Sequence, residues 1–345
     1  MNINFLVKAN QQTGLGHIVR SLALADEFKA RGHSCCFFTN TEAVERIRAA
    51  GHSFACIEPD DYPANDVWVV DLPLGIPLPV AQALRDKCAV LAVLNGAGHP
   101  DGDPGRLLAD LVFYQGCTLN PYALSWDGFE GEWFEGAHWL ILRSEFQNGK
   151  VEGQQYQSAL AYRSDGYTGL FQEGETEWQY INPPHVVITG GGSDPKDVTG
   201  KVLEALVNRA IHQRVIIGPA NKRDYTHYRV AFCFSPPNMA EALSFGDIAV
   251  ISYGMTAFEC LTLGVPTIAL SISPDHVASA ELVQERSNGA LLSLGEVERV
   301  TAEDIRAAVK DALYHRDELS QKARAFCDGR GAERVADKIL VETAL

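Results

Sequence analysis

Two series of short, unbroken apolar runs, each run followed by an amphipathic stretch, restrict this chain more than any other feature of its sequence. In the first half the runs fall at residues 3–7, 34–39, 54–57, 67–71, 90–94 and 111–114, with helix-period stretches at 18–30, 42–50 and 79–87. In the second half they fall at 186–189, 215–219, 231–234, 248–252 and 267–270, with helical stretches at 198–209, from Asn238 onward, and at 257–263. A strand that is apolar on both sides must be covered on both sides, and regular alternation with helices makes the sheet parallel. The expected fold class is α/β, with two doubly wound domains facing each other across a cleft. Residues 1–146 form the first and 185–345 the second. Between them, 147–184 is rich in Gly, Gln, Glu and Tyr and ends in Pro183-Pro184, the composition of a connecting insertion or lid. Helical runs at 302–313 and 318–345 close the chain, and the last is placed to return and brace the first domain.

Composition narrows the class of function. The chain has 345 residues, 46% hydrophobic and 21% charged, enough for two full cores. A net charge of -15 repels phosphate backbones and anionic lipid surfaces, which argues against nucleic-acid or membrane partners. No run of 18 or more apolar residues occurs and residues 1–4 do not read as a signal peptide, so a cytoplasmic location is expected. The eight cysteines contain no C-x-x-C pair and lie mostly in apolar runs, which reads as reduced core thiols.

Ligands of doubly wound sheets bind at the carboxyl ends of the strands. At the first such end stands Thr13-Gly14-Leu15-Gly16-His17-Ile18-Val19-Arg20. Gly14 and Gly16 give a tight turn whose amides face a ligand, and His17 falls on the first helical turn, where the helix dipole favours the neutral imidazole a general base requires. Read alone, His17 serves equally as a capping or packing residue, and Arg20 as a solvated helix residue. A dinucleotide site is not indicated: the third glycine would fall at Val19, and Thr39-Asn40 stands where a ribose-binding acid belongs. Asp71 ends a strand at the same edge and reads either as a site residue or as a turn cap before Pro73. Asp101-Gly102-Asp103 spells a metal-binding D-x-D, but its Pro and Gly neighbours are those of a surface turn. No metal or other cofactor is called for. In the second half Gly190-Gly191-Gly192-Ser193-Asp194-Pro195 leads into a helix, with Asp194 expected as N-cap and Pro195 as first helical residue. Pro195 also excludes a G-x-S-x-G nucleophile elbow.

In order along the chain, Gly14-x-Gly16-His17-x-x-Arg20, Leu140-Ile141-Leu142-Arg143-x-Glu145-Phe146, Gly191-Gly192-Ser193-Asp194-Pro195-x-x-x-Thr199, Asn238-Met239-Ala240-Glu241 and Glu259-Cys260-Leu261-x-Leu263-Gly264-Val265-Pro266 resemble the PseG/SpsG family. Its type member hydrolyses UDP-2,4-diacetamido-2,4,6-trideoxy-β-L-altropyranose in pseudaminic acid biosynthesis, on a GT-B fold related to the MurG glycosyltransferase. The resemblance covers nearly the whole chain apart from 147–184. It implies that His17 is catalytic, that Gly14, Gly16, Arg20, Asp71 and Arg143 lie on the sugar side, and that Gly192, Ser193, Asn238, Met239, Gly254, Met255, Thr256 and Glu259 hold the nucleotide. Glu259 would bind the ribose hydroxyls; Thr256-x-x-Glu259 is equally a capping box that needs no ligand.

The departures lie mostly on the sugar side. The family's Asp-x-Tyr is Asp71-Leu72-Pro73 here, its paired acids are Asn95-Gly96-Ala97-Gly98, its Gly-Gly-Ser-Thr is Tyr253-Gly254-Met255-Thr256, and a later Asn-Gln is Asp275-His276. The resemblance implies a metal-independent, inverting UDP-sugar hydrolase in nonulosonic acid or surface polysaccharide synthesis. An inverting glycosyltransferase, favoured by the altered sugar-side loops, is the alternative, and a non-catalytic nucleotide-sugar binding protein a third.

Overall fold

A computed structural model describes residues 1–8, 16–39, 44–56, 62–73, 75–94, 104–115, 124–149 and 183–344. The Gly14 turn, the Asn95–Gly98 and Asp101–Asp103 positions, and most of 147–184 lie outside the described residues. The chain divides into two compact units, Met1–Gln147 with Gly329–Leu345, and Asn148–Asp328.

The first unit is built on β1 (Asn2–Val7), α1 (Gly16–Ala30), β2 (Ser34–Thr39), α2 (Val44–Ala49), β3 (Ser53–Cys56), β4 (Asn65–Asp71), α3 (Leu78–Arg85), β5 (Cys88–Leu94), β6 (Leu111–Tyr114) and β7 (Glu132–Glu135). All seven strands are parallel, in the order β3-β2-β1-β4-β5-β6-β7. Successive side chains of a strand point to opposite faces, so Val67 and Val69 of β4 join one core with Phe5, Ile18, Leu24 and Phe28. Trp68 and Val70 join the other with Leu6, Leu84, Leu91 and Val93.

The second unit runs β8 (His185–Thr189), α4 (Val198–Leu206), β9 (His212–Ile217), β10 (Ala231–Phe234), α5 (Met239–Ser244), β11 (Ile248–Ser252), α6 (Met255–Thr262), β12 (Thr267–Ser271), α7 (Pro274–Arg286), β13 (Leu291–Glu296), α8 (Ala302–Tyr314) and α9 (Arg316–Phe326). Its sheet is parallel in the order β10-β9-β8-β11-β12-β13. The central strands Ile248–Val250 and Ile268–Leu270 are wholly buried, as their unbroken apolar runs require. Among the described residues no helix is long and apolar enough to cross a membrane.

The final helix, α10 (Gly331–Glu342), belongs to the first unit, where Ala332, Val335, Ala336 and Ile339 complete the core beside α1. Gly331 allows this approach: a Cβ there would stand 2.0 Å from the backbone oxygen of Leu140. Gly331→Ala should therefore cost about 1–3 kcal/mol, the usual penalty for overpacking. The measurement is the urea midpoint, and an unchanged midpoint would show that α10 does not dock against Leu140.

Two helix starts differ from the sequence reading. Asp194 and Pro195 lie in a turn, and α4 begins three residues later, capped by Asp197, whose carboxylate accepts from the Gly200 amide at 3.1 Å. Thr256 is not an N-cap: α6 begins at Met255 behind Gly254, without a side-chain cap bond, so Thr256 and Glu259 form no capping box.

Candidate active site

In both sheets the chain runs outward from a central strand (β1, β8), then crosses back to that strand's other side (β4, β11). The crevice at this reversal, outside the carboxyl ends of the two strands, is where doubly wound sheets take ligands. In the first unit, Val7 at the end of β1 is in register with Asp71 at the end of β4, and α1, carrying His17, follows β1 in sequence.

Asp71 is wholly buried, and its carboxylate is surrounded by donors. Arg20 donates from Nε to Oδ2 at 2.7 Å and from Nη2 to Oδ1, while Ser21 Oγ donates to Oδ2 at 3.1 Å. His17 Nδ1 lies 2.7 Å from Oδ1. Burial alone would raise the Asp71 pKa, but the charge and hydrogen bonds of Arg20, with those of His17, outweigh it and hold the carboxyl at about 2. Asp71 is thus an anion and can only accept, so the 2.7 Å contact requires the proton on Nδ1 of His17. Arg20 Nη2 also lies 3.0 Å from that nitrogen, but both are then donors, and Nη2 is satisfied by Asp71 and by the Leu94 carbonyl at 3.4 Å. A hydrogen on Nδ1 leaves the Nε2 lone pair as the acceptor. The His17 side chain is 12% exposed, against none of Asp71.

Asp71 and Arg20, which the resemblance implies lie on the sugar side, are both buried and hydrogen-bonded to each other, and Asp71 also meets His17. Ser21 was not anticipated as part of this cluster. Its signal was helical spacing, since it follows His17 by four residues and so shares its face. Gly16 opens α1 with free space where a Cβ would be. Arg143, on the segment after β7, pairs with Glu145 at 3.2 Å and lies over the Phe146 ring.

In the second unit β11 and β8 are neighbours, with Ile251 opposite Thr189, so the turns that follow them emerge side by side. The turn after β8 is tightly built. Asp194, 1% exposed, accepts from the amides of Val198 at 2.8 Å and Thr199 at 3.0 Å. Thr199 Oγ1 accepts from the Gly190 amide, and Arg223 donates to the carbonyls of Asp194 and Pro195. A Cβ on Gly190 would strike the Asp194 carboxylate, and one on Gly218 would come within 2.2 Å of the Gly191 oxygen. Gly192 and Ser193 remain exposed at its tip. After β11, Gly254 is extended and uncrowded, and Met255 and Thr256 open α6, so the first amides of that helix point out of the sheet edge. Glu259 is one turn further and only 7% exposed. Asn238 caps α5 through the Glu241 amide at 2.9 Å, with Met239 as the first helical residue. Among the described residues no three His, Cys, Asp or Glu side chains are placed to hold one metal ion.

No protein-family model matches the chain. The chain is 24% identical over 375 residues to the spore coat polysaccharide biosynthesis protein SpsG of Bacillus subtilis, covering 97% of this chain and 96% of that protein. It is 27% identical over 296 residues to the uncharacterized protein MJ1062 of Methanocaldococcus jannaschii, covering 78% of this chain but 55% of the archaeal protein, so it spans about half the length of that relative. Among solved structures, MurG of Acinetobacter baumannii aligns over 99% of both chains at 16% identity, with a TM-score of 0.62. The spinosyn rhamnosyltransferase SpnG complexed with thymidine diphosphate aligns over 98% of this chain and all of its own, at 13% identity and a TM-score of 0.58. Two parallel sheets of one strand order, matched along their whole length in these structures, give the chain the GT-B fold of two Rossmann-like domains.

Proposed function

We propose that the protein is an inverting enzyme acting on a nucleotide sugar, UDP-linked by the motif resemblance, and that it transfers the sugar to a hydroxyl acceptor. The observation that carries this reading is the His17–Asp71 pair at the reversal point of the first sheet. With Nδ1–H committed to an ionised carboxylate, Nε2 takes the proton of the acceptor hydroxyl as its oxygen attacks the anomeric carbon. The bond from that carbon to the phosphate oxygen breaks on the opposite face, and the nucleoside diphosphate leaves with the electron pair. The Asp71 charge stabilises the imidazolium that forms. The second unit's contribution is anion binding: the amides opening α6 at Gly254–Thr256, and the turn at Gly192-Ser193, offer donors and a helix dipole to the diphosphate. Support for transfer over hydrolysis comes from the solved structures that resemble this fold, among them the calicheamicin glycosyltransferase CalG4, the spinosyn forosaminyltransferase SpnP and the spinosyn rhamnosyltransferase SpnG.

Hydrolysis is the second reading, favoured by the ordered PseG/SpsG-like motifs; water then takes the acceptor's place and the same residues serve. Incubation with a panel of amino-deoxy UDP-sugars, with and without glycan acceptors and EDTA, separates the two. UDP release that requires an acceptor and survives EDTA is the expected result. Release without acceptor would establish the hydrolase, and no release under any condition would overturn both.

Glu259 is proposed to accept hydrogen bonds from the ribose hydroxyls. Charge-assisted bonds of this kind contribute about 1.5–3 kcal/mol, so Glu259→Gln should weaken UDP binding by roughly 10- to 100-fold in calorimetric titration. Unchanged affinity would remove Glu259 from the site.

A further inference from the structure

At the opposite edge of the second sheet lies a groove of about 710 Å³. His185 begins β8, His212 begins β9 and Ala231 begins β10, so the groove opens at the amino ends of these strands. The glycine turns leave from the carboxyl ends. Five residues of β8 separate the two edges, roughly 16 Å at the rise of a parallel strand. The groove is therefore not part of the nucleotide site.

Its lining segregates charge. The chain has 44 acidic and 29 basic residues, yet among the described residues no carboxylate lines this groove, while His185, His212, His227, Arg209 and Arg229 do. Asp247 lies behind the surface: it accepts from the His185 amide at 2.8 Å, stands 3.7 Å from that ring's Nδ1, and is 7% exposed. An aromatic cluster accompanies the two arginines. The His185 and His212 rings are stacked at 4.9 Å, and Phe245 meets His185 edge-on at 4.4 Å. Arg214 lies over one face of the Phe245 ring, its guanidinium 3.4 Å from the centroid. Phe245 is nevertheless 37% exposed, and the buried Oε1 of Gln213, a lining residue, has no hydrogen-bond partner among the described residues. A metal does not explain the histidines, because among the described residues none are placed three to an ion.

We propose that this groove is a second ligand site, for a small anion carrying a ring. The negative group lies against Arg229, with the histidine N–H groups as further donors, and the ring packs against the aromatic cluster of His185, His212 and Phe245, where ring contacts and the neighbouring guanidinium act together. A volume of this size suits a small organic ligand rather than a bare ion. The groove does not depend on the proposed transfer reaction.

The test uses the full chain and two fluorescent probes of nearly the same shape, the anion 1-anilinonaphthalene-8-sulfonate and the uncharged N-phenyl-1-naphthylamine. The sulfonate should bind at one saturable site, at least tenfold more tightly than the neutral probe. Arg229→Gln combined with Arg214→Gln should weaken the sulfonate at least tenfold and leave the neutral probe nearly unchanged, whereas Phe245→Ala should weaken both. Thermal melts accompany each variant; if Phe245→Ala melts early, the arginine variant decides. No saturable binding, equal affinity for both probes, or indifference to the arginine variant would overturn the proposal.

Discussion

Replacing His17 by alanine or asparagine should reduce turnover by about 10²- to 10⁴-fold, the usual contribution of a positioned general base. The loss should fall on kcat, because in the proposed reaction His17 acts on the acceptor's proton and not on the nucleotide. UDP affinity should therefore stay near the wild-type value, and so should the melting temperature, since the side chain packs at the surface end of the Asp71 cluster. Steady-state kinetics with the nucleotide sugar that supports turnover, beside calorimetric titration of UDP, measure both. Full turnover by His17→Ala would remove His17 as the base.

Asp71→Asn should be as damaging to turnover, by a different route, and should also destabilise the fold. An asparagine fits the same space, but Arg20 and Ser21 hold its carbonyl oxygen, which turns its NH₂ toward His17. That nitrogen is a donor, so Nδ1 of His17 must accept, the proton moves to Nε2, and the lone pair is withdrawn from the acceptor. A wrong tautomer of this kind costs on the order of 10⁴-fold in kcat. The stability loss should be about 3–5 kcal/mol, because Arg20 keeps a buried charge without its counter-ion. Acid titration supplies an independent check. The Asp71 carboxyl is held at about 2 against an ordinary value of 3.8, a depressed pKa, so its stabilisation is fully present above about pH 4 and disappears as the pH falls through about 2. On the order of 2 kcal/mol should be lost across that window in wild type. The Asn variant should lack that component, and identical acid-unfolding curves would show that Asp71 is not held as an anion.

How much was legible follows from where water lies. Strands buried on both faces announced themselves as continuous apolar runs, and these fixed the two doubly wound sheets. Of the four edge strands, β3 and β10 were read from their apolar runs, but Glu132-Trp133-Phe134-Glu135 of β7 and the glycine-containing β13 carry polar residues and went unread, as did the polar helix α7. Helix starts misled where two caps competed. Asp194-Pro195 has the composition of an N-cap and first helical residue, but the Asp194 backbone is left-handed at φ 47°, and Asp197 takes the cap. His17 and Asp71 were legible as neighbours on one sheet edge, though 54 residues apart. What spacing could not reveal was the direction of the carboxylate, which is set by Arg20 and Ser21 closing it off from the surface.

The return of residues 329–345 to the first unit bears on how this protein is made. A ribosome delivers β1 to β7 early, but the helix that covers Phe5, Ile18 and Phe28 on their open side emerges only after the whole second unit. Until Ala332, Val335 and Ile339 arrive, the half-built unit presents a bare hydrophobic face, while residues 148–328 are free to fold as a body of their own. Synthesis interrupted between the two events yields a nascent chain with its second unit native and its first unit sticky, a natural client for chaperones. The same order completes the core beneath α1, which carries His17, only after the second unit has been made.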